Sequence, residues 1–135
     1  MIEDSYAHLQ VTQAQCDRDD PHGDGIQGYG GPSVTIRHNT IDQDDPCPTA
    51  PIFIADESAG GSVIDNVLAG GGFTLRLLSG TYSAVTGNKI VQGRYAFGPI
   101  DVVCGTIGAW SGNATVTYDF ATGTITSQVQ PLACD

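Results

Sequence analysis

Asparagine recurs along this chain in a fixed apolar frame. Four segments share it: Val34-Thr-Ile-Arg-His-Asn39-Thr-Ile41, Val63-Ile-Asp-Asn66-Val-Leu68, Val85-Thr-Gly-Asn88-Lys-Ile90 and Trp110-Ser-Gly-Asn113-Ala-Thr115. In each, an apolar residue stands three before the Asn. In the first three, another stands two after it, and Thr115 takes that place in the fourth. Ile2-Glu-Asp-Ser5-Tyr-Ala7 fits the same frame with Ser in the Asn position. The Asn spacings are 27, 22 and 25, and Ser5 lies 34 before Asn39. A period of about 22 with insertions is what one coil of a parallel β-helix needs, with three short strands and three bends. Each strand then pairs with its copy one coil along, about 4.8 Å away, so equivalent residues form straight columns. An Asn column at a bend hydrogen-bonds along the stack and tolerates left-handed backbone angles.

A second strand column follows each Asn segment: Gly25–Tyr29, Pro51–Ala55, Thr74–Leu78 and Pro99–Val103. Alternation turns Ile26, Ile52, Leu75 and Ile100 inward. Gln27, Phe53, Arg76 and Asp101 then form one outward row, and Tyr29, Ala55, Leu78 and Val103 the next. Insertions at 10–23 and 43–49 precede the first two copies, so two long loops are expected to stack at one edge. The tail after Thr115 breaks the period and reads as an irregular coil or capping hairpin. The expected division is 1–115 for the coils and 116–135 for the cap.

The four cysteines include no C-x-x-C pair, which gives a structural zinc site little support. An even, widely spaced set suits two disulfides in an exported protein, with four reduced thiols in a cytosolic one as the alternative. Cys16 and Cys47 fall in the two loops expected to stack, so Cys16–Cys47 is the sensible bridge. Cys104–Cys134 is left to pin the tail.

With 15 acidic and 5 basic residues, the 135-residue chain carries −10. That disfavours nucleic acid, whose counterions must be displaced by cations, and an anionic membrane surface. No apolar run approaches the roughly 20 residues of a membrane span. The start, MIEDSYAHLQ, lacks the basic and apolar regions of a signal peptide.

The succession IEDSYAH, HGDGIQ, SVTIRHNTID and VIDNVLAGGGFTL resembles the right-handed parallel β-helix proteins of the pectin-lyase-like superfamily, most of all secreted bacterial repeat proteins. The resemblance spans about residues 1–115 and implies an all-β, right-handed parallel β-helix of about five coils. It also implies further N-terminal coils and a cap, so the chain is expected to be a C-terminal fragment or small member that docks on such coils or on another domain.

Several residues are candidates for chemistry. Asp17, Asp19, Asp20, Asp44 and Asp45 fall in the two neighbouring loops, where hard oxygen ligands suit calcium; a solvated acidic edge is the alternative. Asp20-Pro21-His22 resembles part of the Asp-Pro-His-Glu motif of alginate epimerases, with Gly23 in the fourth place. His22-Gly23-Asp24-Gly25 followed by Asp44-Asp45 is similar to polygalacturonase motifs, although the Gly-His-Gly of that family is Gly70-Gly71-Gly72 here. Arg76 stands mid-row, where a lyase of this fold would place a base. The candidate catalytic set is therefore His22, Asp24 and Arg76. Gln27, Tyr29, Phe53 and Asp101 are the candidate glycan contacts, since flat aromatics stack on sugar rings. His8 and His38 are expected to be structural. The expectation is an extracellular or cell-surface module that interacts with polysaccharide, with lyase, hydrolase or epimerase activity left open. The alternative is a structural or adhesin-like stalk with no small ligand.

Overall fold

The computed structural model describes residues 1–19, 23–44, 47–56 and 59–134. The chain winds through four complete turns of a parallel β-solenoid. The first turn holds β1 (Ile2–Glu3), β2 (Tyr6–Gln10) and β3 (Gly23–Gly28), with helix α1 (Gln13–Asp19) between the last two. The second holds β4 (Thr35–Arg37), β5 (Thr40–Asp44) and β6 (Pro48–Ile54). The third holds β7 (Ala59–Ile64), β8 (Val67–Gly70) and β9 (Phe73–Leu77), and the fourth β10 (Thr81–Thr86), β11 (Lys89–Val91) and β12 (Gly98–Val102). A fifth turn starts with β13 (Trp110–Ser111) and β14 (Ala114–Asp119), then reverses into β15 (Thr124–Pro131). Three sheets result, in the orders β1-β4-β7-β10-β13, β2-β5-β8-β11-β14-β15 and β3-β6-β9-β12.

The register follows the sequence frame. Ile2, Ile36, Val63, Val85 and Trp110 stack in the first sheet. Ala7, Ile41, Leu68, Ile90 and Thr115 stack in the second, and Ile26, Ile52, Leu75 and Ile100 in the third. Ile36, Ile52, Leu68, Leu75, Leu77 and Ile90 are fully buried. Each such side chain contributes roughly 1.5–3 kcal/mol by leaving water. At the N-terminal end the core opens into a mouth of about 290 Å³ lined by Ile2, Ala7, Gly25, Ile26 and Ile41.

The Asn column joins the first and second sheets at one corner. The Asn39 amide and Nδ2 both donate to Asn66 Oδ1 at 3.0 Å. Asn66 donates likewise to Asn88 Oδ1 at 3.2 and 2.9 Å, and Asn88 to Asn113 Oδ1 at 3.0 and 2.9 Å. Each Nδ2 also reaches back one coil, to the carbonyls of Ile2, Ile36, Val63 and Val85 in turn. A buried amide is tolerated because its polar atoms are paired in this way.

The left-handed angles fall one residue before the Asn and not on it. Asp4, His38, Asp65, Gly87 and Gly112 have φ of 52°, 53°, 51°, 71° and 65°. The Asn side chain must face inward to reach its neighbours, so the preceding residue absorbs the turn. At Gly87 a Cβ would also strike the Asp65 carboxylate.

Two further expectations are corrected. The coil count is four complete turns instead of about five, because Asp119 closes a tight reversal. Its Oδ1 accepts the Ala121 N–H at 2.8 Å and its carbonyl accepts the Gly123 N–H at 2.8 Å. Hydrogen bonds from the Thr122 hydroxyl and from the Ala121 and Thr122 amides hold the Asp119 carboxyl below its usual range. The insertion at 10–23 is also not all loop, since it carries α1. Thr12 and Gln15 form a reciprocal cap, with the Gln15 N–H on Thr12 Oγ1 at 3.3 Å and the Thr12 N–H on Gln15 Oε1 at 2.9 Å.

Both disulfides pair as expected. Cys16–Cys47 ties α1 to the second turn across a Cα separation of 5.7 Å, and Cys104–Cys134 pins the tail at 5.5 Å. Such bridges mark a protein of an oxidising, non-cytoplasmic compartment.

Asn88→Ala would strand the Asn66 amide, leave Asn66 Nδ2 with its bond to the Ile36 carbonyl alone, and remove the side-chain donor to the Val63 carbonyl. At about 1–3 kcal/mol per buried orphan, urea unfolding should show a loss of about 2 kcal/mol or more. Tyr82 is buried and donates to the Ser79 carbonyl at 3.0 Å, and burial pushes its hydroxyl up to about 12. Its contribution to stability is complete below the unfolded tyrosine value of about 10 and is lost as pH rises from there through 12. Ultraviolet titration should show an ionisation near 12 that Tyr82→Phe removes.

Candidate functional site

The outer face of the third sheet carries the row expected from alternation. Gln27 pairs with Phe53, Phe53 with Arg76 and Arg76 with Asp101, each one coil apart. The Arg76 guanidinium carbon lies 4.7 Å from the Phe53 ring centroid and 5.8 Å from that of Phe73. Its Nε and Nη2 donate to Asp101 Oδ2, both at 3.1 Å. Arg76 is thus a flat cation laid over aromatic faces and anchored by a carboxylate, an arrangement suited to guanidinium and not to ammonium.

The platform extends beyond the expected row. The Phe73 and Phe97 ring centroids stand 5.8 Å apart, and Phe97 is 78% exposed. Beside Arg76, the residues Thr49, Gly72, Phe73 and Phe97 line a shallow cleft of about 130 Å³. Thr49 Oγ1 is buried there without a hydrogen-bond partner among the described residues. At the other end, Gln27 Nε2 donates to the Tyr29 hydroxyl at 2.7 Å, and Tyr29 is 64% exposed. Sequence reasoning missed Phe73 and Phe97. Both stand just ahead of their strand copies in adjacent coils, outside the alternation count. An aromatic at or one residue before the strand entry in adjacent coils was the available signal, with Phe73 level with Gly98.

The candidate catalytic set is not assembled among the described residues. Asp24 lies on β3, where its Oδ1 accepts the Ala50 N–H at 3.1 Å. It stands three residues before Gln27 and two coils from Arg76, or two strand spacings of about 4.8 Å each. His22 lies outside the described residues. Arg76 is engaged with Asp101 and is placed as an anchor.

Three of the candidate calcium residues are described, and each has a partner within the chain. Asp17 accepts from Gln13 Nε2 at 2.8 Å within α1. Asp19 binds Arg18 through Nε and Nη2, and that guanidinium holds its carboxyl below the usual range. Asp44 lies 3.8 Å from Arg94 Nη2. Asp20 and Asp45 lie outside the described residues. Among the described residues, no three acidic, histidine or cysteine groups converge on a metal position.

His8 and His38 each sit beside carboxylates of neighbouring coils. His8 Nδ1 is 3.0 Å from the buried Asp42 carboxylate, which Arg94 holds from the other side at 3.0 Å. His38 lies 3.6 Å from Asp4 and 3.6 Å from Asp65, at the exposed corner.

No family model, curated protein or solved structure matches this chain.

A double-mutant cycle between Phe53→Ala and Arg76→Ala should return a coupling of about 0.5–1 kcal/mol in urea unfolding. A value near zero would mean that the stacking does not hold the guanidinium in place.

Proposed function

We propose that the chain is an extracellular polysaccharide-binding module, built as a β-helix of the pectin-lyase-like kind, whose glycan lies on the outer face of the third sheet. The observation that carries this reading is the Phe53–Arg76–Phe73–Phe97 surface: four flat groups on one face, with Phe97 almost wholly in water. A half-buried aromatic cluster with one ring in water marks an interaction surface. The cleft of about 130 Å³ is far smaller than the roughly 300 Å³ of an ordinary small-molecule pocket. A platform so shallow suits an extended polymer that lies across it. The Gln27–Tyr29 pair supplies polar contacts at one end.

Charge narrows the class of glycan. The cation on the platform is neutralised by Asp101, and the chain as a whole carries −10. Polyuronates are repelled by such a field, so neutral glycans are the fitting ligands.

Affinity electrophoresis on a panel of neutral and acidic polysaccharides, with calcium and with chelator, tests this reading. Retardation is expected on a neutral glycan in both conditions. Phe53→Ala and Phe97→Ala should each weaken it about tenfold, which is about 1.4 kcal/mol. New reducing ends in the same samples would make the module an enzyme. No retardation on any glycan would overturn the binding reading in favour of a structural stalk.

A further inference from the structure

The C-terminal end of the solenoid differs from the rest of the molecule in charge. All five basic residues and all but two of the fifteen acidic ones lie within the first 101 residues. Asp119 is the only charged residue between Asp101 and Asp135. This neutral end is also where the second sheet stops, at β15. β15 runs eight residues, Thr-Ile-Thr-Ser-Gln-Val-Gln-Pro, and every one is exposed. It pairs with β14 on one side, and no described strand pairs with the other. Proteins usually blunt so long an edge with a charge, a mid-strand proline or a cover. Here there is no charge, and the proline stands at the last position. Two register shifts against β14 are the only blunting device.

We infer that two copies of this chain associate through β15, paired antiparallel about a two-fold axis at Ser127, so that the second sheet runs on from one copy into the other. The placement of its apolar residues supports this register. Ile125 and Val129 are the exposed large hydrophobics of the strand, at 46% and 50%. They lie two residues either side of Ser127. Antiparallel pairing about Ser127 therefore brings Ile125 of each copy to the Val129 end of the partner copy, with the irregularities at Thr126 and Val129 interrupting strict alternation between them. No residue of β15 is charged, so no like charges meet across the pair. Cross-strand pairs of this kind are what stabilises a sheet, and the backbone adds up to about eight hydrogen bonds.

The other ends fit a second copy less well. The N-terminal rim carries Glu3 and Asp4, whose side chain is 72% exposed, and two such rims would set carboxylates face to face. In the first sheet, β13 has two residues, and Trp110 is covered by the tail through Nε1 to the Leu132 carbonyl at 2.7 Å. The third sheet ends at β12, beside the Cys104–Cys134 bridge that holds the tail. A −10 chain meets its own copy with least repulsion at its uncharged edge.

Light scattering after size exclusion tests this on the full oxidised chain. The expected result is a concentration-dependent dimer of about twice 14.0 kDa. Ile125→Lys/Val129→Lys should raise the dimer Kd about tenfold or more, because four like charges then meet at the axis. Tyr6→Lys, at the opposite free edge of the same sheet, should leave the dimer unchanged. Amide hydrogen exchange guards against a misfolded double variant: outward-facing β15 amides of the unaltered chain should slow as concentration rises through the Kd. A monomer at every concentration overturns the inference. So does a dimer that survives the double lysine variant, one lost in Tyr6→Lys, or one whose β15 amides exchange as in the monomer.

Discussion

The Asn carboxamide ladder is the interaction on which the other features depend. Its members are buried, and a carboxamide can be buried only where its donors and acceptor are all met. One coil cannot meet them, because each Oδ1 is served from the coil before and the Nδ2 groups of Asn39, Asn66 and Asn88 reach both ways along the stack. The ladder therefore fixes which residue of one coil stands beside which residue of the next. That register then carries round to the third sheet, where it sets Phe53 beside Arg76 and Arg76 beside Asp101. A slip of one residue would turn the whole row inward.

Stacking at about 4.8 Å also constrains charge, because a repeated residue type would set like charges side by side. The columns avoid this by alternation or by neutral residues. Glu3 stands under Arg37 at 2.5 Å, and Arg76 under Asp101. At the left-handed corner the order is Asp4, His38, Asp65, Gly87, Gly112. Each of these pairs is worth little by itself at an exposed site. Their common effect is to remove repulsion that a chain of −10 would otherwise meet at every coil. The buried Asp42 is the exception in burial, and it is held by two partners, His8 and Arg94.

The fold was legible because a solenoid writes its contacts as a sequence period. Ile36, Val63 and Val85 sit three before an Asn, and in the structure they stack on one another. The outward row was legible for the same reason. What escaped the sequence lies where the period breaks. Phe73 opens β9 and Phe97 immediately precedes β12, at corners where alternation no longer says which way a side chain points. The α1 cap was written locally as Thr12-Gln13-Ala14-Gln15, but inside an insertion that the coil frame sets aside. The end of the fifth turn depended on the reversal at Asp119, a local turn that no column demands.

The same geometry bears on recognition. A strand face in a solenoid is nearly flat along the stacking axis, and its side chains advance by one strand spacing per coil. Such a face cannot enclose a small molecule, and the cleft beside Arg76 is accordingly shallow. It can present flat groups in series, one strand spacing of about 4.8 Å apart. Phe53 and Arg76 occupy consecutive coils, and Phe73 and Phe97 continue the surface on the side of the Gly70-Gly71-Gly72 corner. That corner is tight because Gly70 approaches the Gln43 backbone where no Cβ would fit. A longer insertion there, like those of the first two coils, would cover Phe73 and remove half the platform. The short glycine corner and the exposed aromatic surface are thus two consequences of the same local sequence.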